Sequence, residues 1–224
     1  MIHHANIIIH VLAGIIAMLI GVGAYASAKG GNTHKRFGRW FLYLMAVVIV
    51  TALNGVIFFR DRPFLTVVTF LSFYMAYSGF RVLKTKDKGF ARVDFLVMIV
   101  VLVILGLFVN NFRSANILWN PFVVYYLSAY LGLVLLFDIS RFLKPNLIRN
   151  PRFWLYDHIW KMTGAFSALI SAGAGTVFSE YEPLNQIVPA VVTSIWLIFC
   201  LVYFPKKMKQ VQLSNEPKNK SIST

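Results

Sequence analysis

The sequence predicts an all-α protein, a polytopic membrane helix bundle with seven transmembrane helices, an external N-terminus and a cytosolic C-terminus. Three observations carry this expectation. The 224-residue chain is 58% hydrophobic and only 13% charged, with a mean hydropathy of +0.67. That is more apolar surface than a soluble domain of this length can hide. The apolar residues fall into seven runs, each near the ~20 residues that cross a bilayer core. The basic residues alternate from one side of those runs to the other.

The runs cover residues 7–28, 41–59, 64–83, 95–112, 122–139, 155–178 and 187–204. They define a seven-helix transmembrane domain over residues 1–206 and a basic tail, 207–224. Within the tail, 214–224 is polar and aperiodic and is expected to be disordered. Trp40, Trp119, Trp154, Tyr156 and Trp160 stand near run ends, as an interfacial aromatic belt does.

Charge placement sets the topology. The first loop carries Lys29, Lys35, Arg36 and Arg39, and the third carries Arg81, Lys84, Lys86, Lys88 and Arg92. The fifth, with the start of the sixth run, carries Arg141, Lys144, Arg149, Arg152 and Lys161; the tail carries Lys206, Lys207, Lys209, Lys218 and Lys220. Of the 22 basic residues only Arg60, Arg62 and Arg113 fall on the other side. The positive-inside bias therefore places the odd loops and the tail in the cytosol. The same placement accounts for the net charge of +14 without a nucleic-acid partner. The partner implied is the lipid bilayer, and the location a cell membrane of bacterial inner or plasma type.

The first run ends in a basic turn holding Lys29, His34, Lys35, Arg36 and Arg39. Within the run, His10, Gly14, Ala17, Gly21, Ala24 and Ala28 alternate spacings of four and three. At about 100° per residue they share one helix face. Small residues on one face let helices approach closely in lipid, so His10 is expected to point into the bundle. Ala24-Tyr25-Ala26 and Ala26-Ser27-Ala28 resemble leader cleavage sites. No Lys or Arg precedes the run, however, and the basic cluster follows it, so the helix is expected to be retained. The single cysteine, Cys200, lies in an apolar run and permits no intrachain disulfide. Residues 35–39 echo 88–92, and 39–43 echo 152–156; shared basic and aromatic boundary signals account for both echoes without a repeat.

Ionisable groups within or beside spans are costly and mark candidate sites. His10 and Asn54 fall at one depth toward the outer side, with Thr66 and Thr69 near that level, and form a candidate outward-facing site. A second group gathers at the cytosolic side: His34, Arg36, Arg39, Asp138, Arg141, Asp157, His158 and Lys161. Asp157 and Lys161 are four apart and can pair on one helix face. Behind them Ala165, Ala168, Ala172 and Gly175 continue a small-residue face, so the sixth helix is expected to pack centrally, close to the first. The candidate ligand- or proton-handling residues are His10, Asn54, His34, Arg39, Asp157, His158 and Lys161. The soluble-enzyme signatures of phosphate loops, His-Glu-x-x-His and Gly-x-Ser-x-Gly do not occur.

The pattern His10-x-x-x-Gly14, then Lys29-Gly30-Gly31-x-x-His34-x-x-x-Gly38-Arg39, then Asp157-His158 through Lys161-Met162 to Gly164-Ala165-Phe166 resembles a bacterial family of multi-pass membrane proteins. That family is filed as a domain of unknown function and described as predicted membrane proteins. The resemblance implies a bundle of seven or eight helices and draws attention to His10, His34 and His158. It implies no activity.

Three functional expectations follow. The first is a small transporter or permease-like bundle with histidine-containing polar pockets and a small polar ligand. The second is a redox protein binding haem b or a metal through histidines. Axial haem ligands must face each other at one depth, which separates His10 from His34 and His158. The third is an accessory or sensory subunit without chemistry, favoured because Asp94 and Asp138 read as end-of-helix acids and not as interior ones. Whether the chain is an enzyme is left open by its residues.

Overall fold

A computed structural model describes residues 2–58, 63–86, 90–114, 121–144 and 153–215. Among them every regular element is a helix and no strand occurs. The elements are α1 (Ile2–Ala26), α2 (Asn32–Phe58), α3 (Pro63–Thr85), α4 (Arg92–Ser114), α5 (Pro121–Leu143), α6 (Phe153–Val177), a short 3-10 turn (Ser179–Tyr181) and α7 (Leu184–Asn215). Each helix carries one of the seven apolar runs over its described residues, the first and sixth runs ending just past Ala26 and Val177. The helices extend past the runs wherever polar residues can continue the backbone ladder at the membrane surface. Thus α2 starts at Asn32, so His34, Lys35, Arg36 and Arg39 occupy its first turns and not a loop. Likewise α7 continues to Asn215, past the boundary at 206; residues 216–224 of the tail lie outside the described residues, as do Arg60 and Arg62.

Six helices, α1 to α5 and α7, are long and apolar enough to cross a membrane. The exception is α6, equally long, whose first turns hold Tyr156, Asp157, His158, Trp160 and Lys161. Its position explains that composition. A helix enclosed by other helices need not match lipid, and α6 lies in the middle of the bundle between α3, α1 and α7.

Two apolar cores meet at α6. One joins α3, α4 and α5 to Ala165 and Ala168 of α6. The other joins α1 and α2 to its Phe166 and Leu169. The expected neighbourhood of α6 and α1 is present: a Cβ added at Gly21 would lie 2.5 Å from the Phe166 ring. The closest partner of α6 is nevertheless α3. There a Cβ on Gly79 would lie 3.0 Å from Lys161 Cβ, and one on Gly164 would collide with Met75. Bulk on the glycine side would force the two axes apart, and these positions lack it.

Of the small-residue face expected on α1, Ala17 and Gly21 are buried, while Gly14 and Ala24 are half-buried and a Cβ on Gly14 would meet open space; Ala13, beside that line, is buried as well. The opposite face, with Ile8, Leu12, Ile15, Leu19 and Val22, is exposed. α4 and α7 show similar apolar faces. Apolar exposure on this scale suits a bilayer and not water.

The α1–α2 connection is short because the end of α1 is capped from several directions. Gly30 adopts a positive φ of 78°, a conformation glycine takes without a Cβ penalty. Ser27 Oγ, Lys29 Nζ and His34 Nδ1 all donate to the Ala24 carbonyl, at 2.9, 3.0 and 3.0 Å. Lys29 Nζ also reaches the Tyr25 carbonyl at 2.7 Å. These donors satisfy carbonyls that the helix end leaves unpaired and complement its negative pole. Burial against this end holds the Lys29 ammonium below its usual pKa range.

Candidate functional site

The site forms where α1, α3 and α5 finish and α2, α4 and α6 begin, here called the basic end. Its centre is Lys161, with no exposed side-chain surface. Lys161 lies on the buried face of α6 with Asp157 one turn before it and Ala165 and Ala168 after it. Asp138 continues the buried line of α5 through Val124, Ser128, Leu131 and Leu135. Spacings of four and three put those positions on one face. Each charge therefore sits on an inward stripe, and the geometry of its own helix keeps it from snorkelling to water.

Lys161 Nζ donates to Asp138 Oδ1 at 2.9 Å and Oδ2 at 2.7 Å, and to Asp157 Oδ2 at 3.2 Å. The expected i,i+4 pair of Asp157 with Lys161 is thus formed, and a residue from another helix joins it. Arg141 Nη1 donates to Asp157 Oδ2 at 2.6 Å and lies 3.8 Å from Asp138 Oδ1. Tyr74, from the middle of α3, donates its hydroxyl to Asp138 Oδ2 at 2.6 Å. Two cations face two carboxylates, so the formal charge cancels.

Aromatic rings close the network. The Arg141 guanidinium lies 4.5 Å from the Phe153 ring centre and 5.2 Å from that of Phe90, and Lys161 Nζ lies 5.1 Å from the latter. Ring faces attract cations, more strongly when both are desolvated. One acceptor is left over. Asp157 Oδ1 is buried and lies 3.0 Å from Lys161 Nζ, but out of line for a hydrogen bond, and no other partner among the described residues supplies one.

A second ion pair stands beside the first. Arg81 Nε and Nη2 bind the two Asp94 oxygens at 2.6 and 3.0 Å, and the Tyr77 hydroxyl donates to Oδ1 at 2.7 Å. Asp94 Oδ2 also accepts the Ala91 N–H at 2.8 Å. This is the return half of a capping box at the start of α4. Asp94 and Asp138, read from the sequence as end-of-helix acids, are both almost wholly buried. Helix ends pack inside the bundle here, and nearness to a terminus does not bring water.

The histidines bond outside the charged network. His158 Nδ1–H donates to the Gly79 carbonyl of α3 at 2.8 Å. His34 Nδ1–H donates to the end of α1. In both rings the carbonyl contact fixes the tautomer with the proton on Nδ1, and Nε2 makes no hydrogen bond among the described residues. Arg36 and Arg39 are exposed and stay apart from the network.

At the opposite end His10 faces α2 as expected, but the His10–Asn54 pairing is corrected. His10 Nδ1 reaches Thr51 Oγ1 at 2.9 Å and the Val48 carbonyl at 3.1 Å. The Thr51 hydroxyl proton is directed to the Val47 carbonyl at 2.8 Å, so the ring N–H is the donor to Thr51. Asn6 adds a bond to the Thr51 carbonyl at 3.0 Å. Asn54 is exposed. It follows the buried Met45 by nine residues, about 900° of helix rotation, which is the opposite face. Equal depth along an axis did not imply the same side of it. Thr66 and Thr69 are buried on α3, and Thr69 bonds its own helix at Leu65.

The participant that sequence reading missed is Tyr74, one of many aromatics in an apolar run. Its only sequence signal is a hydroxyl on the most buried face of α3. The arrangement can hold charge out of water and bind α5 to α6 through side chains. Comparison of the chain with protein-family models, with curated proteins and with solved structures found no match.

Proposed function

We propose that this multi-pass membrane protein is a small carrier in which protons are handled by the network of Tyr74, Asp138, Arg141, Asp157 and Lys161. The observation that carries the reading is Lys161, wholly buried between two buried carboxylates. Ionisable groups inside membrane bundles are expensive and recur in proton and ion pathways. A proton accepted at Asp157 Oδ1 neutralises that carboxylate and weakens its attraction to Lys161 and Arg141. Since α5 and α6 are tied through these side chains, protonation is linked to helix movement. His10 at the other end and His158 beside the network belong to the same reading as polar stations. The basic end faces the cytosol, on the charge asymmetry of the loops. Membership of the bacterial family resembled above, and residence in a bacterial plasma membrane, are part of the proposal.

The test is proton flux in vesicles. Protein is reconstituted with an internal pH-sensitive dye, and a potassium diffusion potential is applied. Flux above that of protein-free vesicles is expected, and its loss in Asp157→Asn at unchanged fold. Wild-type flux equal to that of protein-free vesicles overturns the carrier reading.

Two other readings each have an observation behind them. Cancelling charges beneath aromatic cover favour a structural clamp in an accessory subunit, the reading that absent flux would promote. Nε2 atoms without hydrogen bonds on His34 and His158 favour haem or metal ligation, which a Soret band or bound metal in purified protein would promote.

A further inference from the structure

Between α2 and α3 runs a groove of about 370 Å³, lined by Leu42, Met45, Ala46, Ile49, Val50 and Phe73 among others, with Arg39 at one end. We propose that this groove holds one anionic phospholipid of the leaflet at the basic end, its acyl chain along the apolar walls and its phosphate on Arg39.

The dimensions agree. From Arg39 to Val50 the helix rises about 16 Å, close to half of the ~30 Å hydrocarbon core. The groove thus spans one leaflet, with the cation at the headgroup level and apolar side chains below. Its floor is closed by the buried Met45 and Ala76, and its rim is open at Tyr43 and Val50, so a chain can enter sideways from the bilayer.

The charges agree as well. Arg39 makes no ion pair or hydrogen bond among the described residues, and no acidic residue lines the groove. The hydroxyl of Tyr77 in the wall is directed to Asp94, whose charge is matched by Arg81. Lys35 and Arg36, one turn before Arg39, are exposed on the same helix. A guanidinium fork suits phosphate oxygens, and the added positive field selects a headgroup of net negative charge over a zwitterionic one.

The test is native mass spectrometry of delipidated full-length protein titrated with phosphatidylglycerol or phosphatidylcholine. One tightly held phosphatidylglycerol is expected, with phosphatidylcholine bound more weakly. Arg39→Gln should reduce retention of phosphatidylglycerol about fivefold, the worth of one charge near the membrane surface. Ala46→Trp, on the exposed face, should fill the groove and remove that lipid while leaving the thermal midpoint unchanged. Three results would each overturn the proposal: equal retention of both lipids, a lipid still held by Ala46→Trp, or a protein dimer that Ala46→Trp dissolves in place of a lipid.

Discussion

Replacing Lys161 by Met removes the charge at the centre of the network and keeps most of the side-chain volume. In the wild type, among the described residues, this ammonium supplies two of the three hydrogen bonds to the Asp138 carboxylate and one of the two to that of Asp157. Without it Asp138 keeps the Tyr74 hydroxyl and a guanidinium nitrogen 3.8 Å away. Asp157 keeps Arg141 at 2.6 Å. One carboxylate is then buried without an adequate counter-charge. Breaking a buried pair from one side costs about 3–5 kcal/mol. The expected outcome for Lys161→Met is therefore a loss of that size, measured by reversible unfolding in mixed micelles. Replacing Asp138 by Asn in the same chain removes the stranded charge and leaves the Arg141–Asp157 pair intact. The double variant should recover on the order of 2 kcal/mol or more of the loss, because the larger part of the single-variant penalty is the unpaired charge. The reasoning is refuted if Lys161→Met unfolds within about 1 kcal/mol of the wild type, or if the double variant is no more stable than the single one.

Gly21→Leu should destabilise the protein by about 1–3 kcal/mol through overpacking, since its first added carbon meets the Phe166 ring; Ile15→Leu, on the exposed face, should leave the midpoint of thermal unfolding in detergent unchanged. His10→Leu should cost about 1 kcal/mol, the scale of a single interhelical hydrogen bond in a bundle; a much larger shift in the same assay would mean that more than the Thr51 contact depends on this ring. Reporter fusions at Lys86 and Lys207 should both read cytosolic, and an external reading at either rejects the proposed orientation.

Much of the architecture was legible because it follows from short-range rules. Lipid demands apolar runs of fixed length, so the six helices long and apolar enough to cross a membrane could be counted by hydropathy, and the more polar α6 showed as a seventh, weaker run. Helical spacing put Ala17 and Gly21 on the inward face of α1 and paired Asp157 with Lys161 on α6. Those inferences use one helix at a time. The His10–Asn54 pairing failed because it crossed between helices: depth could be estimated from sequence, but the rotation of α2 about its axis is set by how Phe41, Met45 and Val48 pack. Tyr74 was hidden for the same reason, since nothing in α3 announces that its hydroxyl meets an acid 64 residues away. Asp94 and Asp138 looked peripheral by position along the chain and became interior because neighbouring helices cover those ends. The sequence by itself determined a multi-pass helical membrane protein with charges gathered between alternate helices. Only the tertiary structure decided which charges meet, because long side chains on α3, α5 and α6 find partners according to axial rotation and helix spacing, and neither is encoded in any one segment.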